Sequence, residues 1–315
     1  MARTATTLRL KSFAKVNLGL EVLGPRHDGY HELRTLFQSV NLADDLELRS
    51  CTGPTIELEC DHPLVPKDEG NLALRAALEL QRFARARRGV RIRLEKRIPV
   101  GGGLGGGSSN AATVLRGLDH LWDLGLGITG LLPLARRLGA DVPFFLYGGT
   151  ALGLARGDEV YPLRHQIEAS LVLVVPGLAV PTAGVFRRLA QSLTPRENGT
   201  TIFRFISSDL DGRPQFGVLK NELEEAALEE APVLREQFKK VRSLLVREGA
   251  EHTALSGSGS TYFGLFRDRP GSLRARSALR ARGFEAFASQ TLTLERYRQS
   301  FARALAKAGG NLRGT

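Results

Sequence analysis

The sequence predicts an α+β protein built in two halves. The first 60 residues are rich in strand patterns, helices and strands alternate from about residue 71, and near residue 165 a short buried strand begins a stretch dominated by helices. A chain of 315 residues can form two compact domains with full cores. We therefore expect a domain over 1–165, a second over 166–292 and a helical extension over 293–315, with a substrate cleft between the halves.

The first half takes its elements from local patterns. Partial alternation of apolar and polar residues predicts strands at 7–13, 17–23, 33–40, 46–49, 55–59, 90–94 and 150–154. Leu72, Ala76, Leu80 and Phe83 recur at helical spacing and predict a helix over 71–88 with these side chains on its inner face. Two further helices are expected at 109–124 and 128–138.

The second half begins with an apolar strand at 171–175, ended by a proline and a glycine. The spacing of apolar residues then predicts helices at 181–191, 215–229, 233–248, 272–282 and 294–308. Two short strands, 253–255 and 262–266, flank a Ser-Gly-Ser-Gly-Ser turn.

Composition excludes several classes of protein. No apolar run approaches the roughly 18 residues that span a bilayer, and the first residues lack the apolar core of a secretory signal, so we expect a cytoplasmic protein without a membrane partner. Two cysteines and six histidines show no metal-ligand spacing, and no metal site is expected. The net charge of +11 suits nucleic acid or small polyanions, but no aromatic residues are interleaved with the basic ones, and nucleic-acid binding stays the less favoured alternative.

A glycine run lies between a predicted strand and a predicted helix. Six of the seven positions 101–107 are glycine, and Ser108 and Ser109 follow. Without Cβ atoms the backbone can turn sharply and approach a ligand closely, while its N–H groups and the positive end of the next helix attract an anion. The run therefore predicts a phosphate-binding loop.

Three other interpretations of this run fit less well. A P-loop requires lysine followed by serine or threonine after the last glycine, whereas Ser-Ser-Asn follows here. The glycines satisfy G-x-G-x-x-G, but a dinucleotide site also needs a βαβ unit, and this chain begins with consecutive strands. A flexible linker would not be framed by Ile98-Pro99 and an amphipathic helix.

The run from Pro99 to the serine pair resembles the second motif of the GHMP kinases, the galactose, homoserine, mevalonate and phosphomevalonate kinase group. Other segments resemble further motifs of the family in the expected order: Ala14-Lys15-Val16-Asn17-Leu18, the substrate segment from Asp28 to Phe37, Leu138-Gly139-Ala140-Asp141-Val142-Pro143, and Ser256-Gly257-Ser258-Gly259-Ser260. Family likeness implies an N-terminal ATP-binding domain like domain 2 of ribosomal protein S5 and a ferredoxin-like C-terminal domain.

The three glycines after Leu104 resemble the form that this motif takes in one branch of the family. That branch phosphorylates the 2-hydroxyl of a cytidine diphosphate-linked polyol with ATP and Mg²⁺, in the non-mevalonate pathway to isoprenoid and terpenoid precursors. A GHMP kinase with a mevalonate-like acceptor is the alternative, and Tyr30-His31 argues against it. The resemblance implies a small-molecule kinase, which we expect to be a monomer or weak homodimer.

The family likeness assigns expected roles to individual residues. ATP-binding positions would be Asn71, Lys96, Pro99, Val100, Gly101, Gly102, Gly103, Leu104, Gly105, Gly106, Gly107, Ser108 and Ser109, with Mg²⁺ held by phosphates, water and Ser109. Asp141 would be the catalytic base and Lys15 its partner, whose ammonium also neutralises the transferring phosphoryl group. From the residues alone, Asp141 equally suits a helix N-cap and Lys15 a solvated strand position.

The acceptor would contact Asn17, Tyr30, His31, Phe37, Thr182 and Phe186. Aromatic rings offer stacking faces for a base, and His31 offers a donor and an acceptor on one ring. Packing in the core is the alternative for each aromatic residue. The Ser-Gly-Ser-Gly-Ser segment is either a simple turn or a close approach of the backbone to the phosphate or the glycine loop.

Overall fold

A computed structural model describes residues 6–192, 201–211 and 214–310, and in them the chain forms two β-sheets, each with its own helices. The first sheet has the order β3-β4-β2-β5-β6, and β1 pairs with β2. Its strands are β1 Thr7–Pro25, β2 His31–Cys51, β3 Ile56–Cys60, β4 Gly89–Glu95, β5 Thr150–Leu154 and β6 Glu159–Pro162. The first half also contains helices α1 Leu72–Ala84, α2 Gly106–Leu121, α3 Gly127–Leu138 and α4 Val142–Tyr147.

The second sheet is antiparallel in the order β10-β7-β9-β8. Its strands are β7 Ser170–Val175, β8 His252–Leu255, β9 Tyr262–Phe266 and β10 Glu285–Gln290. The helices are α5 Thr182–Ser192, α6 Thr201–Leu210, α7 Leu223–Glu230, α8 Val233–Arg247, α9 Arg269–Arg280 and α10 Leu294–Gly310. This strand order, with helical crossovers after β7 and β9, is the ferredoxin-like arrangement. None of the described helices is both long and apolar enough to cross a membrane.

Strand β7 explains how the two halves pack. Its side chains are buried on both faces: Val172 and Val174 pack with the helices of the second half, whereas Leu171 and Leu173 pack with Val16 and other residues of β1. The second sheet is therefore sandwiched between its own helices and the long strands of the first half. A continuous apolar strand such as this one is typical of a sheet covered on both faces.

The long strands β1 and β2 differ from the sequence prediction, which divided each into two. β1 runs through 19 residues, with register shifts between Phe13 and Ala14 and between Asn17 and Gly19. From Ala14 to Leu20 both faces are buried, so the alternation that marks a half-buried strand is lost there. β-bulges also bend a strand and re-aim its side chains, and Lys15 lies between the two shifts.

Other elements were predicted incompletely. The sequence prediction missed β6, α6 and β10, and its helix over 215–229 was wrong at the start, because a 3-10 turn at Phe216–Val218 precedes α7. Phe83 is 51% exposed and does not belong to the inner face of α1, which ends at Ala84. Arg85, in the left-handed conformation, ends that helix, and no glycine or proline marked this point in the sequence.

The C-terminal helix α10 returns to the first half. Phe301, Ala304, Leu305 and Ala308 pack against the core that lies between the first sheet and helices α1–α4. The division into domains at 165 and 292 stays a prediction.

Candidate active site

The glycine run forms one wall of a cleft of about 340 Å³. Positions 99–108 line it together with Asn71 and Lys96, so twelve of the thirteen predicted ATP-binding residues lie around one cavity. Gly101, Gly103 and Gly105 have φ values of +75°, +74° and +70°, a region that residues with a Cβ atom rarely adopt. Helix α2 begins at Gly106, three residues earlier than predicted, and its first-turn N–H groups have no intrahelical acceptor.

The Ser-Gly-Ser-Gly-Ser segment packs directly on the glycine run. The Ser256 hydroxyl donates to the Gly103 carbonyl at 2.9 Å, and the Thr261 N–H donates to the Gly102 carbonyl at 3.1 Å. A Cβ atom on Gly103 would lie 2.3 Å from the Ser256 carbonyl oxygen, so the two backbones touch. Of the two interpretations of this segment, the structure supports the close approach to the glycine loop.

A buried carboxylate that the sequence did not indicate holds the segment that leads into the loop. Asp44 has no exposed surface, and one of its oxygens accepts hydrogen bonds from the backbone N–H groups of Arg97 and Ile98, both at 2.8 Å. The other oxygen accepts from Lys96 Nζ at 2.5 Å and from Asn110 Nδ2 at 2.8 Å. The ammonium group of Lys96 is therefore paired with Asp44 at the edge of the cleft, and charge on the nucleotide would interact with a pair, not with a free lysine.

The side chains of two predicted ATP-binding residues, Ser109 and Asn71, form hydrogen bonds within the protein. The Ser109 hydroxyl donates to the Phe13 carbonyl at 2.6 Å and accepts from the Ser12 hydroxyl at 2.7 Å, while the Ser109 backbone N–H bonds to Gly105 within the helix. Ser109 is fully buried and these hydrogen bonds join α2 to β1, so its contact with phosphate or Mg²⁺ stays a prediction. Asn71 lines the cleft, but its side chain caps α1 by accepting from the Ala73 N–H at 2.9 Å.

Lys15 and Asp141 meet beside the glycine run. Lys15 Nζ lies 3.3 Å from Asp141 Oδ2; the lysine side chain is 4% exposed and the aspartate side chain 34% exposed. The backbone N–H of Lys15 donates to the Leu104 carbonyl at 3.0 Å, which fixes this strand against the loop. Asp141 occupies the N-cap position of α4 without a capping hydrogen bond from its side chain, so the carboxylate is directed to Lys15 and not to the helix.

Asn17 continues this polar line along β1. Its Oδ1 accepts from Lys15 Nζ at 2.6 Å, and its Nδ2 donates to the Thr35 hydroxyl at 2.8 Å, which in turn donates to the Gly19 carbonyl. These hydrogen bonds hold the buried lysine in place. A Cβ atom on Gly257 would lie 3.5 Å from Lys15 Nζ, so the Ser-Gly-Ser-Gly-Ser segment closes the other side of the lysine.

The acceptor side is formed by side chains from both halves. Thr182, the first residue of α5, has its hydroxyl 2.8 Å from that of Ser258. One turn later in α5, Phe186 stacks on His31 with ring centroids 5.2 Å apart and planes at 25°. Tyr30 is 54% exposed, and the Arg156 guanidinium lies 4.8 Å from its ring centroid. Nothing in the sequence around Arg156 indicated this contact.

Phe37 is the exception among the predicted acceptor residues. It is 1% exposed, and its ring stacks on Phe144 with centroids 4.8 Å apart. Gly153 packs so closely on the ring that an added Cβ would lie 2.5 Å from Phe37 Cε2. Phe37 is therefore a core residue whose ring centroid lies 5.8 Å from Lys15 Nζ, and its stacking on a base stays a prediction.

Metal-binding side chains do not gather anywhere in the described part of the chain, where no group of three or more His, Cys, Asp or Glu residues has suitable positions. Oxygen donors near the phosphate loop include the hydroxyl of Ser108, which lines the cleft, and the carboxylate of Asp141, which pairs with Lys15. Mg²⁺ usually takes one or two protein oxygens and completes its shell with phosphates and water, and this donor set fits that habit.

Comparison with known proteins gives consistent results. The family model "GHMP kinases N terminal domain" matches residues 71–149, and "GHMP kinases C terminal" matches 213–285. The chain is similar to proteins named 4-diphosphocytidyl-2-C-methyl-D-erythritol kinase. That of Gloeobacter violaceus is 43% identical over 84% of this chain and 87% of the relative. That of Citrifermentans bemidjiense is 41% identical over 90% of this chain and 99% of the relative.

Solved structures show the same likeness. A crystal structure of 4-(cytidine 5'-diphospho)-2C-methyl-D-erythritol kinase superposes with a TM-score of 0.75 at 38% identity, covering 90% of this chain and 99% of that one. A homoserine kinase from Cytophaga hutchinsonii superposes with a TM-score of 0.70 at 19% identity, covering 93% of this chain and 96% of that one; this likeness concerns the fold alone. The predicted two-domain GHMP kinase fold is confirmed.

Proposed function

The chain belongs to the GHMP kinase family and, within it, to the 4-diphosphocytidyl-2-C-methyl-D-erythritol kinases, and from this premise we propose how its residues share the reaction. The enzyme transfers the γ-phosphoryl group of ATP to the 2-hydroxyl of 4-diphosphocytidyl-2-C-methyl-D-erythritol, a step of the methylerythritol phosphate pathway. The observation that carries the residue assignment is the contact of Lys15 with Asp141, at 3.3 Å, next to the glycine loop.

The loop binds the phosphates of ATP mainly through main-chain groups. Residues 101–108 and the start of α2 line the cleft, where their N–H groups and the positive end of the helix can stabilise the triphosphate without a Walker lysine. The Ser108 hydroxyl and the Asp141 carboxylate would be the protein oxygen donors for a Mg²⁺ ion bound with ATP, which would supply further neutralisation of phosphate charge.

The oxygen of the acceptor's 2-hydroxyl forms a bond to the γ-phosphorus, and Asp141 accepts the proton that this hydroxyl loses. The bond from that phosphorus to the bridging oxygen breaks, and ADP leaves with the electron pair. Lys15 is held by Asn17 on one side and Asp141 on the other, so its ammonium is fixed where negative charge moves between nucleotide and acceptor. The buried position strengthens this interaction, because water screens it little.

The cytidine end of the acceptor binds at the aromatic side chains. The stacked pair of His31 and Phe186 and the exposed ring of Tyr30 offer faces to a pyrimidine, and the hydroxyl of Thr182 offers a hydrogen bond next to Ser258. A cytoplasmic location and a monomeric or weakly dimeric state belong to the same proposal.

An ADP-release assay with a panel of alcohols tests the function. We expect turnover with 4-diphosphocytidyl-2-C-methyl-D-erythritol and background rates with mevalonate and homoserine. Phosphorus NMR of the product should show a phosphomonoester at the 2-position. Turnover with mevalonate but not with the cytidine diphosphate compound would overturn the choice of acceptor.

A further inference from the structure

One side chain of the C-terminal helix reaches the elements that carry the catalytic pair. Tyr297, in the first turn of α10, is 5% exposed. Its hydroxyl donates to the carbonyl of Phe145 at 2.6 Å. Phe145 lies in α4, the short helix that begins one residue after Asp141. The extension, to which the family resemblance assigned no role, therefore contacts the helix behind the proposed base.

The ring of Tyr297 makes two further contacts. It lies against Gly148, where a Cβ atom would come within 2.3 Å of the ring, and Gly148 ends α4 with a φ of +73°. The ring is also tilted at 51° to that of Phe13, with centroids 5.6 Å apart. Tyr297 thus touches both the end of α4 and strand β1.

The two phenylalanines that Tyr297 contacts are close in sequence to the catalytic pair. Phe13 lies two positions before Lys15, and its carbonyl accepts the hydrogen bond of Ser109 in the phosphate helix. Phe145, whose carbonyl Tyr297 holds, packs its own ring on Gly105, where a Cβ atom would be 2.7 Å away. The buried side chain of Tyr297 therefore contacts both β1, which carries Lys15, and α4, which follows Asp141.

We propose that Tyr297 is a positioning residue that holds α4 and β1 at the separation in which Lys15 and Asp141 meet. The inference rests on the function proposed above for that pair. Displacement of reacting groups by a fraction of an ångström lowers turnover, whereas neither Tyr297 nor the two phenylalanines it contacts line the cleft that binds ATP. Burial raises the pKa of Tyr297 to about 12, so its hydroxyl remains a donor throughout the range in which a kinase is assayed.

The rest of α10 provides an internal control. Phe301, one turn further along the helix, packs on Arg116, whose guanidinium lies 3.8 Å from its ring centroid, and it contributes to the same core. Its ring carries no hydroxyl and cannot hold a carbonyl of α4. A change at Phe301 should weaken the packing of the helix without releasing the carbonyl of Phe145.

The test compares Tyr297→Phe with Phe301→Leu in the full chain, at a temperature where circular dichroism shows both to be folded. Tyr297→Phe keeps the ring and removes only the hydroxyl. We expect its kcat to fall by about five- to twentyfold while KM for ATP stays within about twofold, because alignment and not nucleotide binding is lost. Phe301→Leu should lower Tm and keep kcat near the wild-type value.

A kcat of Tyr297→Phe equal to that of the wild type, with only Tm lowered, would overturn the inference, because it is the result of a purely structural role. An equal loss of kcat in Phe301→Leu would also overturn it, since any loosening of α10 would then suffice. Asp141→Asn in the same assay separates this failure from that of the proposed function. If Asp141→Asn is inactive and Tyr297→Phe is fully active, only the positioning role fails; if Asp141→Asn is active, the assignment of the base fails.

Discussion

The nucleotide side of the cleft is built from main chain and a buried polar network, whereas the acceptor side is built from partly exposed side chains. Gly103 and Asp44 are tightly packed, and changes there should act on folding as well as on binding. Tyr30 and His31 lie at the turn between β1 and β2, Phe186 in α5 stacks on His31, and changes there should act on one substrate. Main-chain N–H groups and the positive end of a helix suffice to bind phosphates, whereas stacking on a pyrimidine requires an aromatic side chain.

The largest effect is expected for Gly103→Ala. The new Cβ would lie 2.3 Å from the Ser256 carbonyl oxygen, and a φ of +74° is strained for alanine. Overpacking and the left-handed conformation together should lower the free energy of unfolding by about 3 kcal/mol or more. Urea unfolding measures this loss. Gly107→Ala is the matched control, because its Cβ would meet only Leu72 at 3.6 Å; an equal loss of stability in both variants would contradict the account.

Asp44→Asn should be nearly as damaging to stability. The amide would bring an N–H group to a site where both oxygens accept hydrogen bonds, and it would leave Lys96 buried without its carboxylate. Breaking a buried pair costs about 3 kcal/mol. The neighbouring Asp45→Asn removes a partly exposed carboxylate that pairs with Lys11 and Arg97, and should cost less than about 1 kcal/mol. Similar unfolding midpoints for the two variants would refute the anchoring role of Asp44.

Acid should weaken the contact between strand β8 and strand β1, and with it the stability of the fold. His252 bonds to the carbonyl of Leu18 in β1, and burial lowers its pKa from 6.5 to about 4. Between these values the unfolded chain binds a proton that the folded chain does not, so stability is full above pH 6.5 and falls as pH decreases toward 4, by up to about 3 kcal/mol. Unfolding followed across this range, with His252→Gln as the comparison, should show a flatter profile for the variant. Parallel profiles would exclude His252 as the cause.

The smallest effect is expected on the acceptor side, and it should be confined to one substrate. His31→Ala removes the ring that stacks on Phe186, and should raise KM for the cytidine diphosphate substrate about tenfold, with KM for ATP and the unfolding midpoint little changed. Phe83→Ala serves as the control, because this aromatic side chain is exposed on α1. An equal rise in KM for ATP would show that the two sides of the cleft are not separate.

The sequence predicted the backbone features of the site better than its side-chain contacts. The glycine run, the strand before it and the helix after it follow from residue type, because glycine restricts what the chain can do there. The roles of Lys15 and Asp141 came only from family likeness, since their meeting depends on two segments far apart in the chain. Asp44 was missed because its partners lie 52 to 66 residues away.

The differences between expectation and structure have a common physical origin. Phe37, in a predicted strand, is buried between β5 and α4, whereas Phe83, in a predicted helix, is exposed, because tertiary packing and not periodicity decides burial. Ser109 differs from Ser108 only in the direction it takes in the first turn of α2, and that direction joins it to β1. Such distinctions require the orientation of the helix, which no local pattern contains.

The central claim is that chemistry occurs at the junction of these two sides, between Lys15 and Asp141. The direct test is the kcat of Asp141→Asn, with ATP affinity measured separately by calorimetry on the same preparation. The substitution preserves shape and removes the base, so we predict that kcat falls by about a thousandfold while the Kd for ATP changes by less than about threefold. Turnover near the wild-type rate, with ATP binding intact, would contradict the assignment of Asp141 as the base.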